Sequence, residues 1–178
     1  MKNKSLIIKE YFDDVCKDAK CTLDYFSDYS LLIAIMLSAQ CTDAKVNKVT
    51  AKLFKENKTL EDLEKLSLRD IENYLMELGL YKNKAKYLKE LVNILINKFS
   101  GTVPKNKELL VKMPGIGNKT ANVFLAEYYK IPQFPVDTHV NRVAKRLGLV
   151  DQDSSVLDVE KTLRNLYEKN DCLNWRSR

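Results

Sequence analysis

All four prolines of this 178-residue chain fall between residues 104 and 135, so residues 1–103 and 136–178 contain none. A proline in a helix interior costs roughly 3 kcal/mol, and a chain that confines it to one stretch leaves the rest open to long helices. Only five glycines occur, too few for the repeated turns of a sandwich or barrel. With 45% hydrophobic residues the chain can bury a core, which excludes wholesale disorder. Its length suits one compact domain or two small ones.

Apolar residues recur at helical spacing through the proline-free sequence. Residues 5–17 set Leu6, Ile7, Ile8, Tyr11, Phe12 and Val15 on one side. The run Leu31 to Leu37 is apolar all round, so as a helix it has no wet face and is the central buried element. At seven residues it falls far short of the roughly 20 that span a bilayer. Thr42 or Asp43 caps the next helix, with Val46, Val49, Leu53 and Phe54 inward. Thr59 with Asp62, and Ser67 with Asp70, each place a hydroxyl at an N-cap and an acid in the first turn. The second of these helices turns Leu68, Ile71, Leu75 and Leu78 inward and ends at Gly79. Residues 83–99 present Leu88, Leu91, Val92, Leu95, Ile96 and Phe99 before a Ser100-Gly101 stop, and Ser154-Ser155 precede a helix with Val156, Val159, Leu163 and Leu166 inward. The fold class is all-α.

Thirty Lys+Arg against 24 Asp+Glu give a net charge of +6, which alone is weak support for a nucleic-acid partner because most helix lysines solvate an outer face. Lys9 and Glu10 interrupt the start before a secretory apolar region forms. Four cysteines, Cys16, Cys21, Cys41 and Cys172, make no disulfide framework at this length, so a reducing cytoplasm is expected.

The informative stretch is 104–148. Its centre reads Met113-Pro114-Gly115-Ile116-Gly117-Asn118-Lys119-Thr120-Ala121-Asn122-Val123. A short helix ends at Pro114, Gly-Ile-Gly turns tightly, and a second helix starts near Asn118. Two glycines let a phosphate approach main-chain N–H groups without a Cβ in the way, and the new helix adds its unpaired N–H groups and positive dipole end. That makes a sequence-independent clamp for nucleic-acid backbone; an ordinary helix–helix turn has the same local pattern. Lys119 opposes the dipole at roughly 0.3–1 kcal/mol. A free lysine titrates near ~10.4 and a nucleophilic one near ~7–8, a gap of about 3.5–4.5 kcal/mol that desolvation or a proton acceptor must supply. A lysine that binds phosphate as a point charge fits the position as well. Further on come Pro135-Val136-Asp137-Thr138-His139-Val140-Asn141-Arg142-Val143, with Val140, Val143, Ala144 and Leu147 on one face and Gly148 at the end. Asp137 stands at an N-cap, and His139 is the only histidine, with no Cys or His at ligand spacing for zinc.

These segments together resemble the helix-hairpin-helix DNA glycosylases, specifically the endonuclease III branch. The carriers are P-G-I-G-N-K-T-A-N-V (114–123), V-D-T-H-V-N-R-V (136–143), Leu37-Ser38-Ala39-Gln40-Cys41-Thr42-Asp43 and Gly79-Leu80-Tyr81-Lys82-Asn83-Lys84-Ala85, in a likeness running from about residue 28 to Trp175. The resemblance implies a helical barrel domain over 28–134 with its hairpin near 107–125. It also implies a discontinuous second lobe formed by an N-terminal helix in 1–27 and an incomplete C-terminal half, 135–178. It implies base-excision repair of damaged double-stranded DNA, with glycosylase and abasic-site lyase activity on oxidised pyrimidines, by a cytoplasmic, nucleoid-associated monomer without a membrane partner. Lys119 matches the lysine that attacks the sugar C1′ and leaves a Schiff base for β-elimination; Asp137 matches the family aspartate that assists proton movement. Gln40, Leu80 and His139 match residues that enter the duplex where the nucleotide is flipped out. Lys84, Asn118 and Thr120 match DNA-contacting positions, and Asn118, where many members carry Arg, weakens one such contact. Gly115 and Gly117 match the phosphate clamp, whose carbonyls can also hold a monovalent cation.

Family members usually continue into four cysteines that hold a [4Fe–4S] cluster. Here Cys172 matches a non-ligand position and one thiolate cannot hold a cluster that needs four. The expectation is therefore a C-terminally truncated member with no cluster, with Ile8, Phe12 and Val15 of the first helix exposed. The alternative function is a catalytically impaired DNA-binding remnant of the same family.

Overall fold

The computed structural model describes residues 2–15 and 21–167, and no strand occurs among them. Cys16, Cys172 and Trp175 lie outside the described residues. The helices are α1 (Lys2–Val15), α2 (Asp28–Leu37), α3 (Asp43–Glu56), α4 (Leu60–Lys65), α5 (Leu68–Leu75), α6 (Tyr81–Phe99), α7 (Lys107–Leu110), α8 (Asn118–Glu127), α9 (Thr138–Arg146) and α10 (Val156–Leu166). They fall into two compact units: one continuous, Thr22–Ala121, and one discontinuous, Met1–Cys21 with Asn122–Arg178. The division lies inside α8.

In the continuous unit α2 is the buried axis. Every residue from Ser30 to Leu37 is buried, and each fully buried Leu or Ile contributes roughly 1.5–3 kcal/mol. Its entry is fixed by a reciprocal cap: Ser30 N–H donates to the Ser27 side chain at 3.2 Å, while Ser27 N–H donates to Ser30 Oγ at 2.9 Å. Helices α3 and α6 pack on it, and α4 and α5 pack on α6. The same reciprocal cap opens α4 at Thr59 and Asp62 and α5 at Ser67 and Asp70. Thr42 is the N-cap of α3 but makes no side-chain cap bond; the Thr22 hydroxyl donates to Asp43 instead.

Two expectations are corrected here. Helix α5 stops at Leu75, not Gly79, and the left-handed residue that starts α6 is Leu80, with φ +59. Leu68, at the first position of α5, is 37% exposed while Ile71, Leu75 and Leu78 are buried. The Ser100-Gly101 stop is present, both residues having positive φ, and Gly101 N–H returns to Leu95 O at 2.9 Å.

In the discontinuous unit Val136, Ala144, Leu149, Val159, Leu163 and Tyr167 form a core against which Ile8 and Phe134 pack. Lys4 Nζ donates to Leu147 O at 3.2 Å, tying α1 to the end of α9. Of the expected exposed face of α1 only Val15 is exposed; Ile8 joins the core and Phe12 is half-buried, while Leu6, Ile7 and Tyr11 face solvent. Val156 of α10 is likewise exposed, Val159 and Leu163 buried.

Candidate nucleic-acid interface and active site

Helix α7 opens with Asn106, whose side-chain oxygen accepts from Leu109 N–H at 3.0 Å. Past Leu110 the chain turns through Met113 N–H to Leu110 O at 2.9 Å and Ile116 N–H to Met113 O at 3.2 Å. Leu110, Met113 and Ile116 are buried and pin the turn from below. Its two glycines do different work. Gly115 has φ +73, and a Cβ there would lie 3.0 Å from Met36 Cγ and Sδ and from Tyr87 Cδ2. Gly117 has nothing within 4 Å of an added Cβ, so its small size is not demanded by packing. Gly117 O accepts the first bond of α8, from Ala121 N–H at 3.0 Å.

Asn118, Lys119 and Thr120 form the first turn of α8, with Asn118 and Lys119 exposed and Thr120 half-buried. No acid stands in that turn, so a helix N-terminus with its dipole and an exposed lysine coincide with an open glycine. Such a corner attracts anions and admits a phosphate to the backbone.

Met36 and Tyr87 join this hairpin to two further turns of the same unit. Beyond α2 the chain reverses through Gln40, at φ +57, with Cys41 N–H bonded to Ser38 O at 3.0 Å. Before α6 lies Leu80, 60% exposed. A Cβ on Gly79 would sit 4.0 Å from Gln40 O, so the two turns abut. Lys84, by contrast, is buried; its ammonium donates to Ala39 O at 2.8 Å and Cys41 Sγ at 3.1 Å. The sequence carries no signal for this inward lysine, nor for left-handed Gln40 and Leu80, because both depend on a contact between distant segments.

Asp137 and His139 belong to the other unit. Asp137 is the N-cap of α9, its Oδ1 accepting from His139 N–H at 2.9 Å and Val140 N–H at 2.8 Å. His139 is exposed, and its Nδ1 lies 3.2 Å from Arg142 Nη2. A guanidinium can only donate, so Nδ1 accepts and the ring proton sits on Nε2.

Among the described residues no group of three or more His, Cys, Asp or Glu could hold a metal ion. The described cysteines are Cys21 and Cys41, and they belong to different units. This donor set does not fit the four thiolates of a [4Fe–4S] cluster. No described helix is long and apolar enough to cross a membrane.

The described scaffold is all-helical and sets a glycine hairpin, a helix N-terminus and an exposed lysine at one corner, the arrangement of a protein that can hold a nucleic-acid backbone. Residues 33–169 match the HhH-GPD superfamily of base excision DNA repair proteins, and the chain belongs to that superfamily. It is 44% identical over 158 residues to endonuclease III of Bacillus subtilis, covering 89% of this chain and 72% of that one. It is 37% identical over 156 residues to endonuclease III of Escherichia coli, covering 86% and 74%. Among solved structures, a trapped endonuclease III–DNA covalent intermediate superposes with a TM-score of 0.91 at 41% identity, over 99% of this chain and 84% of the other. A thermostable thymine-DNA glycosylase shares the fold at 22% identity, with a TM-score of 0.83.

Proposed function

We propose that this chain excises oxidised pyrimidines from duplex DNA and cuts the strand at the resulting abasic site. It does so as a monomer on the nucleoid in the cytoplasm. The observation that carries the reading is Lys119, exposed on the first turn of α8 two residues beyond the open Gly117. The 41%-identical neighbour trapped as a covalent intermediate with DNA supports covalent chemistry at this kind of site.

Lys119 Nζ attacks C1′ of the damaged nucleotide as the bond from C1′ to the base breaks, and the base leaves with a proton. Opening of the sugar ring gives a protonated Schiff base, which acidifies C2′–H. Removal of that proton breaks the C3′–O bond, leaving an unsaturated Schiff base on one strand end and a 5′-phosphate on the other. Water then hydrolyses the Schiff base, which releases the 3′ unsaturated aldehyde and returns the amine. The Asp137 carboxylate assists proton movement and stabilises positive charge developing on the sugar. Gln40, Leu80 and His139 fill the space left by the flipped nucleotide, an exchange that costs a few kcal/mol and least at a damaged base. Gly115, Gly117, Asn118 and Thr120 hold the backbone, and the hairpin carbonyls are a site for a monovalent cation. Residues 28–134 act as the barrel domain, with 1–27 and 135–178 in the second lobe. We also infer that the described residues work without a cluster, because Cys21 and Cys41, the cysteines among them, do not supply four thiolates.

The test is a duplex carrying one thymine glycol, with the product ends mapped. The expected product is a nicked strand with a 3′ unsaturated aldehyde and a 5′-phosphate. Intact strands, or base release without nicking, would refute the reading.

A further inference from the structure

Lys84 is a lysine only 4% exposed, in a chain with 30 Lys+Arg. Taking an ammonium out of water is costly, and this one is met by a carbonyl and a thiol, Ala39 O and Cys41 Sγ. Its backbone is engaged as well: Lys84 N–H donates to Leu80 O at 3.1 Å. One residue therefore touches two turns. Each turn contains an exposed non-glycine residue in the left-handed region, Gln40 at φ +57 and Leu80 at φ +59. Such conformations are uncommon outside glycine and persist where the surroundings over-determine them. The Ala39 carbonyl belongs to the peptide plane that the φ of Gln40 rotates, so the 2.8 Å bond from Lys84 fixes that angle directly. The bond to Leu80 O is the backbone bond that closes the first turn of α6 and does not depend on the lysine side chain, so the ammonium acts on Leu80 only through the Gln40 turn. Contact of the two turns at Gly79 closes the brace.

We infer that Lys84 is a positioning residue that braces Gln40 and Leu80 before DNA arrives, and that it does not act as a phosphate contact. The inference rests on the proposed damaged-DNA function, in which Gln40 and Leu80 enter the duplex. A brace of this kind pre-organises the inserting side chains, so it acts on discrimination between damaged and intact duplex rather than on backbone attraction.

The experiment compares wild type with Lys84→Met, which keeps the buried apolar stem, and Lys84→Gln, which keeps one donor for Ala39 O. Anisotropy measures affinity for an undamaged duplex and for the same duplex with a tetrahydrofuran abasic analogue, across a salt series. 2-Aminopurine next to the analogue reports unstacking. The expected result for Lys84→Met is a tenfold or greater loss of preference for the abasic duplex and loss of the 2-aminopurine brightening. Affinity for undamaged duplex and its salt slope should stay unchanged, and Lys84→Gln should recover part of both losses. Should Lys84→Met not fold, Lys84→Gln alone must show the selective loss. A salt slope shallower by about 0.9 would mean a lost phosphate contact and overturn the inference. Equal loss on both duplexes would mean a generally structural lysine and overturn it too. Because the analogue cannot be cleaved, these outcomes are separate from failure of the chemistry, which appears only as absent nicking by wild type.

Discussion

Alanine at Gly115 and alanine at Gly117 should have opposite signatures, although the two glycines are separated by one residue. At Gly115 the new Cβ meets Met36 Cγ and Sδ and Tyr87 Cδ2 at 3.0 Å, and the backbone is held at φ +73. A left-handed alanine costs about 1–2 kcal/mol, and overpacking adds about 1–3 kcal/mol, toward the low end because Met36 is a flexible neighbour. The total is about 2–4 kcal/mol, which at ~2–4 °C per kcal/mol lowers Tm by roughly 4–16 °C. At Gly117 nothing lies within 4 Å and φ is ordinary, so alanine stiffens the unfolded chain and changes stability by no more than about +0.4–1 kcal/mol. Its effect falls on DNA instead. A Cβ at the open face blocks approach of a phosphate to the hairpin N–H groups. Loss of one charge-assisted hydrogen bond, worth about 1.5–3 kcal/mol, weakens duplex binding by at least about tenfold. Thermal melts and anisotropy on an undamaged duplex read the two effects separately. Equal destabilisation by both variants would refute the packing argument. Full DNA affinity in Gly117→Ala would refute the phosphate clamp.

Leu80→Ala should weaken binding to an abasic duplex more than to an intact one, because its exposed side chain matters only where a nucleotide is flipped out; a uniform loss counts against insertion. Hydrogen bonds from Thr59, Ser67 and Ser155 hold Asp62, Asp70 and Asp158 below the ordinary value of 3.8. With folded values depressed, their contribution is full above that value and lost as pH falls through the lower folded values. Melts between pH 7 and pH 2 should therefore show a shallower acid loss in the Asp62→Asn, Asp70→Asn, Asp158→Asn variant, and an unchanged slope would contradict it. Lys4→Ala removes the bond to Leu147 O; amide exchange should speed up at the end of α9 and leave the Thr22–Ala121 unit unaffected.

Local chemistry made most of the helices legible. Thr59–Asp62 and Ser67–Asp70 are caps because a hydroxyl and an acid three residues apart satisfy orphan N–H groups wherever they occur. The unbroken run Leu31 to Leu37 could only be buried, and it is. The failures lie where one segment must meet another. Nothing local in Gly79-Leu80 says that the leucine takes the left-handed angle, since the turn that holds it abuts the distant Gln40 turn at Gly79. On α1 the apolar residues cover more than one face, and the position of the core selects Ile8 over Leu6, Ile7 and Tyr11. At the site, Lys119 and the glycine hairpin could be read from the turn chemistry. The inward course of Lys84 could not, because a lysine in a basic chain is ordinarily a surface residue.

The central claim is a Schiff base on Lys119. Borohydride reduction during incubation with a duplex carrying one abasic site would trap it as a covalent protein–DNA adduct. The account predicts an adduct with the wild-type chain, peptide mapping of the linkage to Lys119, and no adduct with Lys119→Gln, which largely keeps its duplex affinity. A wild-type chain that binds the abasic duplex, retains its helical circular dichroism and yet gives no adduct would contradict it, as would an adduct that persists in Lys119→Gln.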